Sequence, residues 1–202
     1  MRHKPVVKLS RSLGVPLTAK AAQVMEVRSY RPGQHGRSRH VVSEYGRRLR
    51  EKQLVRAQYF VSERHLRRAF EAANRADGPT GENLLADLER RLDTTILRAG
   101  FARSIYQARQ MVSHGHVTVD GRKLDIPSAR VRDGQVVQIR PASATKLPIA
   151  EEAKAGLIDI EIPPYLTVDR NELTVTHVRA AKRSEVPIVC DVQLVVEYYA
   201  AR

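Results

Sequence analysis

The stretch Phe101–Ser128, FARSIYQARQMVSHGHVTVDGRKLDIPS, contains the change of hydrophobic period that decides the fold. Apolar residues recur at helical spacing from Ile105 to Val112, directly after Ser104, a residue type that caps helix N-termini. Beyond Gly115 the period becomes two, and Asp120-Gly121 is typical of the tight turn of a β-hairpin. The stretch therefore predicts a helix that leads into a small antiparallel sheet.

The residues before this stretch favour helices, and those after it favour strands. Helices are predicted upstream at 43–58, 62–76 and 80–100, with Ser43, Ser62 and Thr80 as their capping residues. Further strands are predicted downstream at Val136–Ile139, Leu157–Ile162 and Leu173–Val178. Helices followed by an antiparallel sheet predict an α+β fold.

The segment Val189–Tyr199 allows two interpretations. Its many β-branched residues are typical of a strand. Apolar residues between Val192 and Tyr199, however, recur at i, i+3, i+4 and i+7, and Asp191 can cap a helix that starts there. The helix is the favoured interpretation.

Charge is distributed unevenly along the 202 residues. Residues 1–70 contain 17 Lys and Arg against 4 Asp and Glu, whereas the remaining residues contain 18 of each, so the net charge of +13 lies in the first third. A basic block of this kind predicts a polyanionic partner, although it also fits a merely soluble basic surface. The aromatic content of 5% argues against stacked aromatic platforms for bases.

Several other classes of protein and site are disfavoured by composition. With Cys190 as the one cysteine, a disulfide framework and a zinc site with several cysteine ligands are excluded. No apolar run suits a signal peptide or a membrane-spanning helix, which predicts a cytoplasmic protein with no membrane partner. Cys190 itself, within an apolar run, is expected to be a buried and inert thiol.

Residues 1–42 contain several glycines and prolines without a clear period, so they predict a basic arm with little regular structure, ordered mainly by its partner. Within the arm, RPGQHG at Arg31–Gly36 is followed by Arg37 and Arg39. Glycines allow close approach of the backbone, and Arg and His donate hydrogen bonds to phosphate. The same composition also fits an ordinary exposed turn.

Two other groups of residues suit contacts with RNA phosphates. The predicted helix at 43–58 has a basic stripe that fits either RNA contact or a solvated face, formed by Arg47, Arg48, Arg50, Lys52 and Arg56. Ser104 marks a helix N-terminus, which favours an anion. Donors surround that helix and the hairpin after it, namely Arg103, Arg109, His114, His116, Arg122 and Lys123. RNA contact or plain surface is a better interpretation of His114 and His116 than metal binding, because no third ligand is near them in the sequence.

Several long motifs, in order along the chain, resemble the bacterial family of small-subunit ribosomal protein four. They are RPGQHG, YGRRLREKQLVRAQYFVSERHLRRAF (Tyr45–Phe70), TGENLLADLERRLD (Thr80–Asp93), ARQMVSHGHVTVDGRKLDIPS (Ala108–Ser128), RSEVP (Arg183–Pro187) and VQLVVEYY (Val192–Tyr199). The resemblance implies a basic N-terminal arm at 1–42 and a helical domain at 43–90. It also implies a small RNA-binding domain at 91–153 and strands at 154–186 that extend its sheet. The resemblance further implies that the C-terminal segment, 187–202, forms a helix that returns to the helical domain.

The resemblance also implies a function. The family binds small-subunit ribosomal RNA directly and early at a multi-helix junction, nucleates assembly of the subunit body, and contributes to translational accuracy. Its neighbours are small-subunit proteins three, five and twelve. It is not enzymatic, so no catalytic residue, cofactor, metal or small-molecule substrate is expected.

Carried over by motif, the resemblance assigns residues to two kinds of contact. The RNA-binding residues are Arg31, Gln34, His35, Gly36, Arg37, Arg39, Arg47, Arg50, Lys52, Arg56, Arg103, Ser104, Gln107, Arg109, His114, Gly115, His116, Arg122 and Lys123. The protein-interface residues, toward protein five, are Arg183, Glu185, Tyr198 and Tyr199.

Two departures from the family pattern affect these expectations. Some members have a zinc-binding cysteine cluster in the arm, and residues 1–42 here contain no cysteine, so a zinc-free arm is expected. The hairpin has Asp120-Gly121 where many members have Asn-Gly, which places a negative charge near the RNA.

Two other classes of function compete with a structural ribosomal protein. An RNA-modifying enzyme with this domain as an appendage would need a catalytic domain, and the roughly 60 residues after Arg140 are too few for one. A free translational regulator would share the RNA-binding residues, and co-sedimentation with small subunits would distinguish it.

Overall fold

The structure is a computed structural model that describes residues 5–38, 41–145, 147–158 and 160–201. The chain forms two compact units. Unit 1 contains the described residues of 1–70 and 188–202, and unit 2 contains those of 71–187. The fold is α+β, as predicted.

The elements follow one another along the chain in a simple order. The helices of the N-terminal half are α1 (Val6–Leu13), α2 (Ala19–Val27), α3 (Glu44–Gln58), α4 (Glu63–Arg75), α5 (Thr80–Glu89), α6 (Leu92–Arg98) and α7 (Ile105–Ser113). They are followed by β1 (Val117–Val119), β2 (Arg122–Lys123), β3 (Val136–Ile139), α8 (Pro141–Ala144), α9 (Pro148–Lys154), β4 (Leu166–Asp169) and β5 (Thr174–His177). A 3₁₀ turn at Arg183–Glu185 and α10 (Val192–Ala200) complete the described structure.

The prediction of an N-terminal arm with little regular structure is wrong, because α1 and α2 lie within it. Leu13 of α1 is buried against Leu54 and Ala57 of α3, and Leu9 packs on the same cluster. Tertiary packing therefore stabilises a helix too short to be recognised from its own sequence. Cys190, predicted to be buried, is half-buried against this cluster.

The helices α3 and α10 confirm their predictions. The Ser43 hydroxyl accepts a hydrogen bond from the Gly46 N–H and caps α3. The Asp191 carboxylate accepts hydrogen bonds from the Gln193 and Leu194 N–H groups and caps α10. The C-terminal segment is therefore helical rather than extended, and α10 packs on α3 within unit 1.

The predicted helix at 80–100 is in fact two helices, α5 and α6. Leu92 N–H donates to the Ala129 carbonyl, and Val131 N–H donates to the Arg90 carbonyl, so a loop from the same unit breaks the helix between them. Thr80 is the first residue of α5 rather than its cap.

Unit 2 contains an antiparallel sheet with the strand order β2-β1-β3-β5-β4. Val117 is opposite Ile139, and Val137 is opposite Val175, and these four side chains are all buried. The strands predicted at Val136–Ile139 and within Leu173–Val178 are confirmed as β3 and β5.

The strand predicted at Leu157–Ile162 is wrong for the described residues of that range. Leu157 N–H donates to the Glu152 carbonyl and Ile160 N–H donates to the Ile158 carbonyl, so these amides bond locally instead of to a neighbouring strand. The outer strand beside β5 is β4 instead, which the sequence analysis missed along with α8 and α9.

Over the part of the chain that the structure describes, no helix has the length and apolar character needed to cross a membrane.

Candidate nucleic-acid interface

The excess of positive charge lies in unit 1. The sequence of unit 1 contains 18 basic and 6 acidic residues, a net charge of +12, whereas that of unit 2 contains 17 and 16, a net charge of +1. Since the acids of unit 1 are too few to pair with its cations, most of its basic groups are available to an anionic partner.

The basic turn, Arg31–Arg37, brings together the predicted donors of the arm. Arg31, Gln34, His35 and Arg37 are exposed, and the Gly36 N–H donates to the Gly33 carbonyl at 3.1 Å. A Cβ at Gly36 would lie 1.8 Å from the Arg31 carbonyl oxygen, so only glycine allows the chain to fold back this closely. Arg39 lies outside the described residues.

Helix α3 presents part of its predicted basic stripe to solvent. Arg47 and Arg50 are exposed, and the Arg50 Nη2 also donates to the Leu13 carbonyl at 2.9 Å, at the end of α1. The Arg56 side chain is 31% exposed and lies 3.4 Å from Glu63 Oε2. Arg47 is thus the residue of this stripe with the most direct access to RNA, and Arg50 also joins α1 to α3.

Lys52 does not belong to this surface. Its side chain is 5% exposed, and its Nζ lies 2.9 Å from Glu63 Oε2 and 4.5 Å from the centre of the Tyr198 ring. Burial alone would raise the pKa of Glu63, but hydrogen bonds from Lys52, Tyr199 and Arg56 outweigh it and lower that pKa. The sequence prediction counted Lys52 as an RNA ligand because its charge was visible and its buried partners were not.

The N-terminus of α7 is engaged by side chains of the protein. The Ser104 hydroxyl accepts from the Gln107 N–H at 3.4 Å, and the Gln107 Oε1 accepts from the Arg103 N–H at 2.9 Å. The Arg103 guanidinium, 66% exposed, lies 2.7 Å from Glu152 Oε2. Arg103 is therefore accessible to RNA but is held by a carboxylate in this structure.

A second basic cluster surrounds Gly115 at the end of α7. A Cβ on Gly115 would lie 2.2 Å from Cε of Lys123, so the Lys123 side chain crosses directly over this residue. The Arg140 Nη1 donates to the Gly115 carbonyl at 3.1 Å, and the rings of His114 and His116 lie 6.1 Å apart. Burial, His114 and Arg140 lower the pKa of His116.

The surroundings of His116 therefore disfavour its protonated form. Its Nδ1 lies 3.0 Å from the hydroxyl of Ser143, the third residue of α8. Arg140 and Ser143 were missed by sequence reasoning, because they are separated from His116 by most of the sheet. The apolar residues of the predicted strand Val136–Ile139 end at Ile139, which lies opposite Val117 of β1. Pairing of these two strands is the signal that could have placed Arg140, the next residue, beside the start of β1.

The two remaining predicted RNA-binding residues of unit 2, Arg122 and Arg109, differ in their surroundings. Arg122 is exposed on β2. The Arg109 side chain is 39% exposed, and its Nη1 lies 3.8 Å from the buried Asp93 carboxylate. Arg109 is thus drawn partly toward the interior of unit 2.

The predicted protein-interface residues fall into different environments. Tyr198 is buried, which removes it from a surface. Tyr199 is half-buried, stacks on Phe70 at 4.8 Å between ring centres, and donates to Glu63 Oε1 at 3.0 Å. In unit 2, Arg179 lowers the pKa of Glu185 to about 2 through two hydrogen bonds, and Arg183 is half-buried.

Across residues 5–38, 41–145, 147–158 and 160–201, no three His, Cys, Asp or Glu side chains are grouped so that they could hold a metal ion.

Comparison with known proteins gives matches over nearly the whole chain. Residues 1–89 match the model of the ribosomal protein S4/S9 N-terminal domain, and residues 90–137 match that of the S4 domain. The small ribosomal subunit protein uS4 of Streptomyces griseus is 52% identical over 200 residues, which cover 98% of each chain. The protein of the same name from Clavibacter sepedonicus is 50% identical over 204 residues, covering 100% of this chain and 98% of its own. That of Tropheryma whipplei is 53% identical over 198 residues, covering 96% and 97%.

Proposed function

This chain belongs to the ribosomal protein S4 family, and on that premise we propose that it binds small-subunit ribosomal RNA at a multi-helix junction and nucleates assembly of the subunit body. It is a structural RNA-binding protein of the small ribosomal subunit and not an enzyme, and its location is the ribosome in the cytoplasm. The identity of about half of all residues to relatives named uS4, over the full length, carries the ribosomal assignment.

The net charge of +12 on unit 1 is the observation that supports direct RNA binding. The exposed guanidinium groups of the basic turn and of Arg47 suit phosphate oxygens, because a planar fork can donate to two oxygens at once. Each phosphate neutralised releases a counterion, so such binding weakens steeply with salt.

Unit 2 contributes a second contact in this proposal. His114, His116, Lys123 and Arg140 form a group of polar side chains at one end of the sheet, where the charges of Lys123 and Arg140 would attract a phosphate. RNA helices are recognised by shape and by phosphate and 2′-hydroxyl contacts, which suits such a cluster. One chain thereby binds two stretches of RNA and restricts their relative motion.

The proposal retains the predicted division into an arm, a helical domain closed by the C-terminal helix, and an RNA-binding domain with added strands. It also retains the neighbours, small-subunit proteins three, five and twelve, and a contribution to accuracy together with proteins five and twelve. Of the predicted protein-interface residues, Arg183, Glu185 and Tyr199 remain accessible enough to contact a neighbour.

The test is a salt series of binding to the small-subunit ribosomal RNA and to a plain RNA duplex of equal length. We expect tight binding to the junction that survives moderate salt, and weaker, more salt-sensitive binding to the duplex. Equal affinity for both RNAs at every salt concentration would contradict junction recognition. Omission of this protein from a reconstitution should also delay binding of later subunit proteins, and unchanged assembly kinetics would contradict nucleation.

A further inference from the structure

Tyr30, which directly precedes the basic turn, contacts two arginines that no part of the proposed function has used together. The Arg11 guanidinium of α1 donates through Nε and Nη2 to the Tyr30 carbonyl, at 3.2 and 3.0 Å. Its Nη2 also lies 3.4 Å from the Arg31 carbonyl, and its Cζ lies 5.0 Å from the Tyr30 ring centre. Arg11 thereby fixes the start of the turn to a helix of unit 1.

The other end of the basic turn meets the same ring. Cζ of Arg37 lies 4.5 Å from the centre of the Tyr30 ring, a distance at which a cation is attracted to the face of an aromatic ring. Inside the turn, Gly36 N–H donates to the Gly33 carbonyl, and Gly33 has a left-handed φ of 106°. The turn is therefore closed at both ends on one aromatic side chain.

This closure leaves polar side chains of the turn exposed to solvent. Two carbonyls, of Tyr30 and Arg31, are occupied by Arg11, whereas the side chains of Arg31, Gln34 and His35 are exposed. A loop that already has its bound shape loses less conformational entropy on binding, so preformed donors bind an anion more tightly than the same donors on a flexible chain.

We propose that Arg11 and Tyr30 are positioning residues that hold the basic turn in its RNA-binding shape before RNA arrives. The proposal rests on the proposed function, because it concerns how the arm of an RNA-binding protein meets its ligand. It differs from the sequence-based expectation of an arm ordered mainly by its partner. Arg11 acts here through the backbone of Tyr30 and Arg31, and not as a phosphate ligand.

The first measurement uses the full-length protein without RNA. Trypsin cleavage after Arg37, which precedes Ser38, is followed by mass spectrometry in the wild type, Arg11→Lys and Tyr30→Leu. Arg11→Lys keeps the charge but loses the planar fork, and Tyr30→Leu loses the ring. We expect both variants to be cleaved about tenfold faster than the wild type, because the loss of these contacts lets the turn open about ten times more often. The matched control, Tyr30→Phe, keeps the ring and should be cleaved as slowly as the wild type.

The second measurement is affinity for the small-subunit ribosomal RNA across a salt series. Substitution of a positioning residue should lower the affinity for RNA by about tenfold at every salt concentration, without changing the slope of log affinity against log salt. Arg37→Gln, which removes a donor of the turn itself, should instead reduce the slope by about one or less. A reduced slope in Arg11→Gln, which removes the charge, would show that Arg11 is a phosphate ligand and would contradict the assignment.

The outcomes separate this proposal from the function on which it rests. Equal cleavage of the wild type, Arg11→Lys and Tyr30→Leu would show that the turn is not preformed, and would overturn the proposal even if RNA binding is tight. Slow cleavage of the wild type and Tyr30→Phe, with rapid cleavage of the other two, would support a preformed turn even if the RNA preference failed. Both variants should keep the thermal unfolding midpoint of the wild type, and a lower midpoint would assign these contacts to general stability instead.

Discussion

Units 1 and 2 use their arginines in different ways. In unit 2, six arginines lie 2.6–2.9 Å from carboxylates of the same unit, namely Arg90, Arg91, Arg98, Arg103, Arg130 and Arg179. Unit 1 has three times as many basic as acidic residues, so its acids are too few to neutralise its cations. Arginine content alone therefore does not identify an RNA surface. The number of carboxylates folded into the same unit decides whether an arginine stabilises the protein or remains available to a partner.

The largest expected effect comes from a variant that breaks the buried ion pair of unit 2. Arg91 and Asp93 are almost fully buried, and Nη2 of Arg91 lies 2.6 Å from Asp93 Oδ2. Arg91→Met should lower the free energy of unfolding by about 3–5 kcal/mol, because a buried carboxylate loses its partner. Urea unfolding followed by circular dichroism measures this loss.

The double variant Arg91→Met with Asp93→Leu serves as the control for that measurement. It removes both charges and should be more stable than Arg91→Met alone. If Arg91→Met were as stable as the wild type, the view that the arginines of unit 2 stabilise it through their ion pairs would be contradicted.

Lys52 provides a second test of the comparison, because it is a cation of unit 1 that pairs with a carboxylate of its own unit, as the arginines of unit 2 do. Lys52→Met removes hydrogen bonds to Glu63 and Tyr198 and should cost about 2 kcal/mol of unfolding free energy. The salt slope of RNA binding should not change, since the side chain is buried. A slope lowered by about one would return Lys52 to the RNA surface.

Paired charge deletions in the two units test the comparison directly. Arg47→Gln, in unit 1, should weaken RNA binding about fivefold at moderate salt, reduce the salt slope by about one or less, and change stability by less than about 0.5 kcal/mol. Arg130→Gln, in unit 2, removes the same charge from a group whose two nitrogens lie 2.6 Å from the Asp87 carboxylate. Its salt slope should equal that of the wild type. Equal slopes for the two variants would mean that the division between the units does not hold.

The smallest expected effect concerns the buried His177 of unit 2. Its Nε2 lies 2.9 Å from the Thr95 hydroxyl, whose own proton is donated to the Arg91 carbonyl, and its Nδ1 has no partner within the described residues. Burial and Arg90 lower the pKa of His177 from its usual value near 6.5. The folded protein therefore binds fewer protons than the unfolded chain just below pH 6.5.

The sign of the pH effect follows from that proton count. The contribution of neutral His177 is present in full above pH 6.5 and is lost as the pH falls towards the lower, folded-state pKa. Unfolding free energy should fall by about 1 kcal/mol more between pH 7.5 and 5.5 in the wild type than in His177→Gln. Urea titrations at the two pH values measure the difference, and parallel losses in both proteins would contradict it.

Sequence patterns predicted the elements whose stability is local. Helix α3 starts and ends where its cap and its period place it, and α10 was recognised from the spacing of its apolar residues against competing β-propensity. The order of helix and hairpin around Gly115 was visible for the same reason, because caps and turn residues act over a few positions.

What the sequence could not predict depends on contacts between distant residues. Helix α1 is stabilised by Leu54 and Ala57, and the break before α6 results from the loop that bonds Arg90 and Leu92. Contacts between distant residues also explain which predictions for the candidate site failed. The exposure of Arg47 was predicted correctly, whereas the burial of Lys52 depends on Tyr198, far away in sequence. Charge is a local property of a residue, but its availability is not.

The return of α10 to α3 has a consequence for biosynthesis. Translation produces residues 71–187, the whole of unit 2, between the two segments of unit 1. Unit 2 is a contiguous segment and can fold on the nascent chain, whereas Tyr198 cannot reach Lys52 until the C-terminal segment has left the exit tunnel. The most basic part of the protein is therefore completed last. A ribosome that stalls within unit 2 releases a fragment that has the charge of an RNA binder but lacks the helix that closes it.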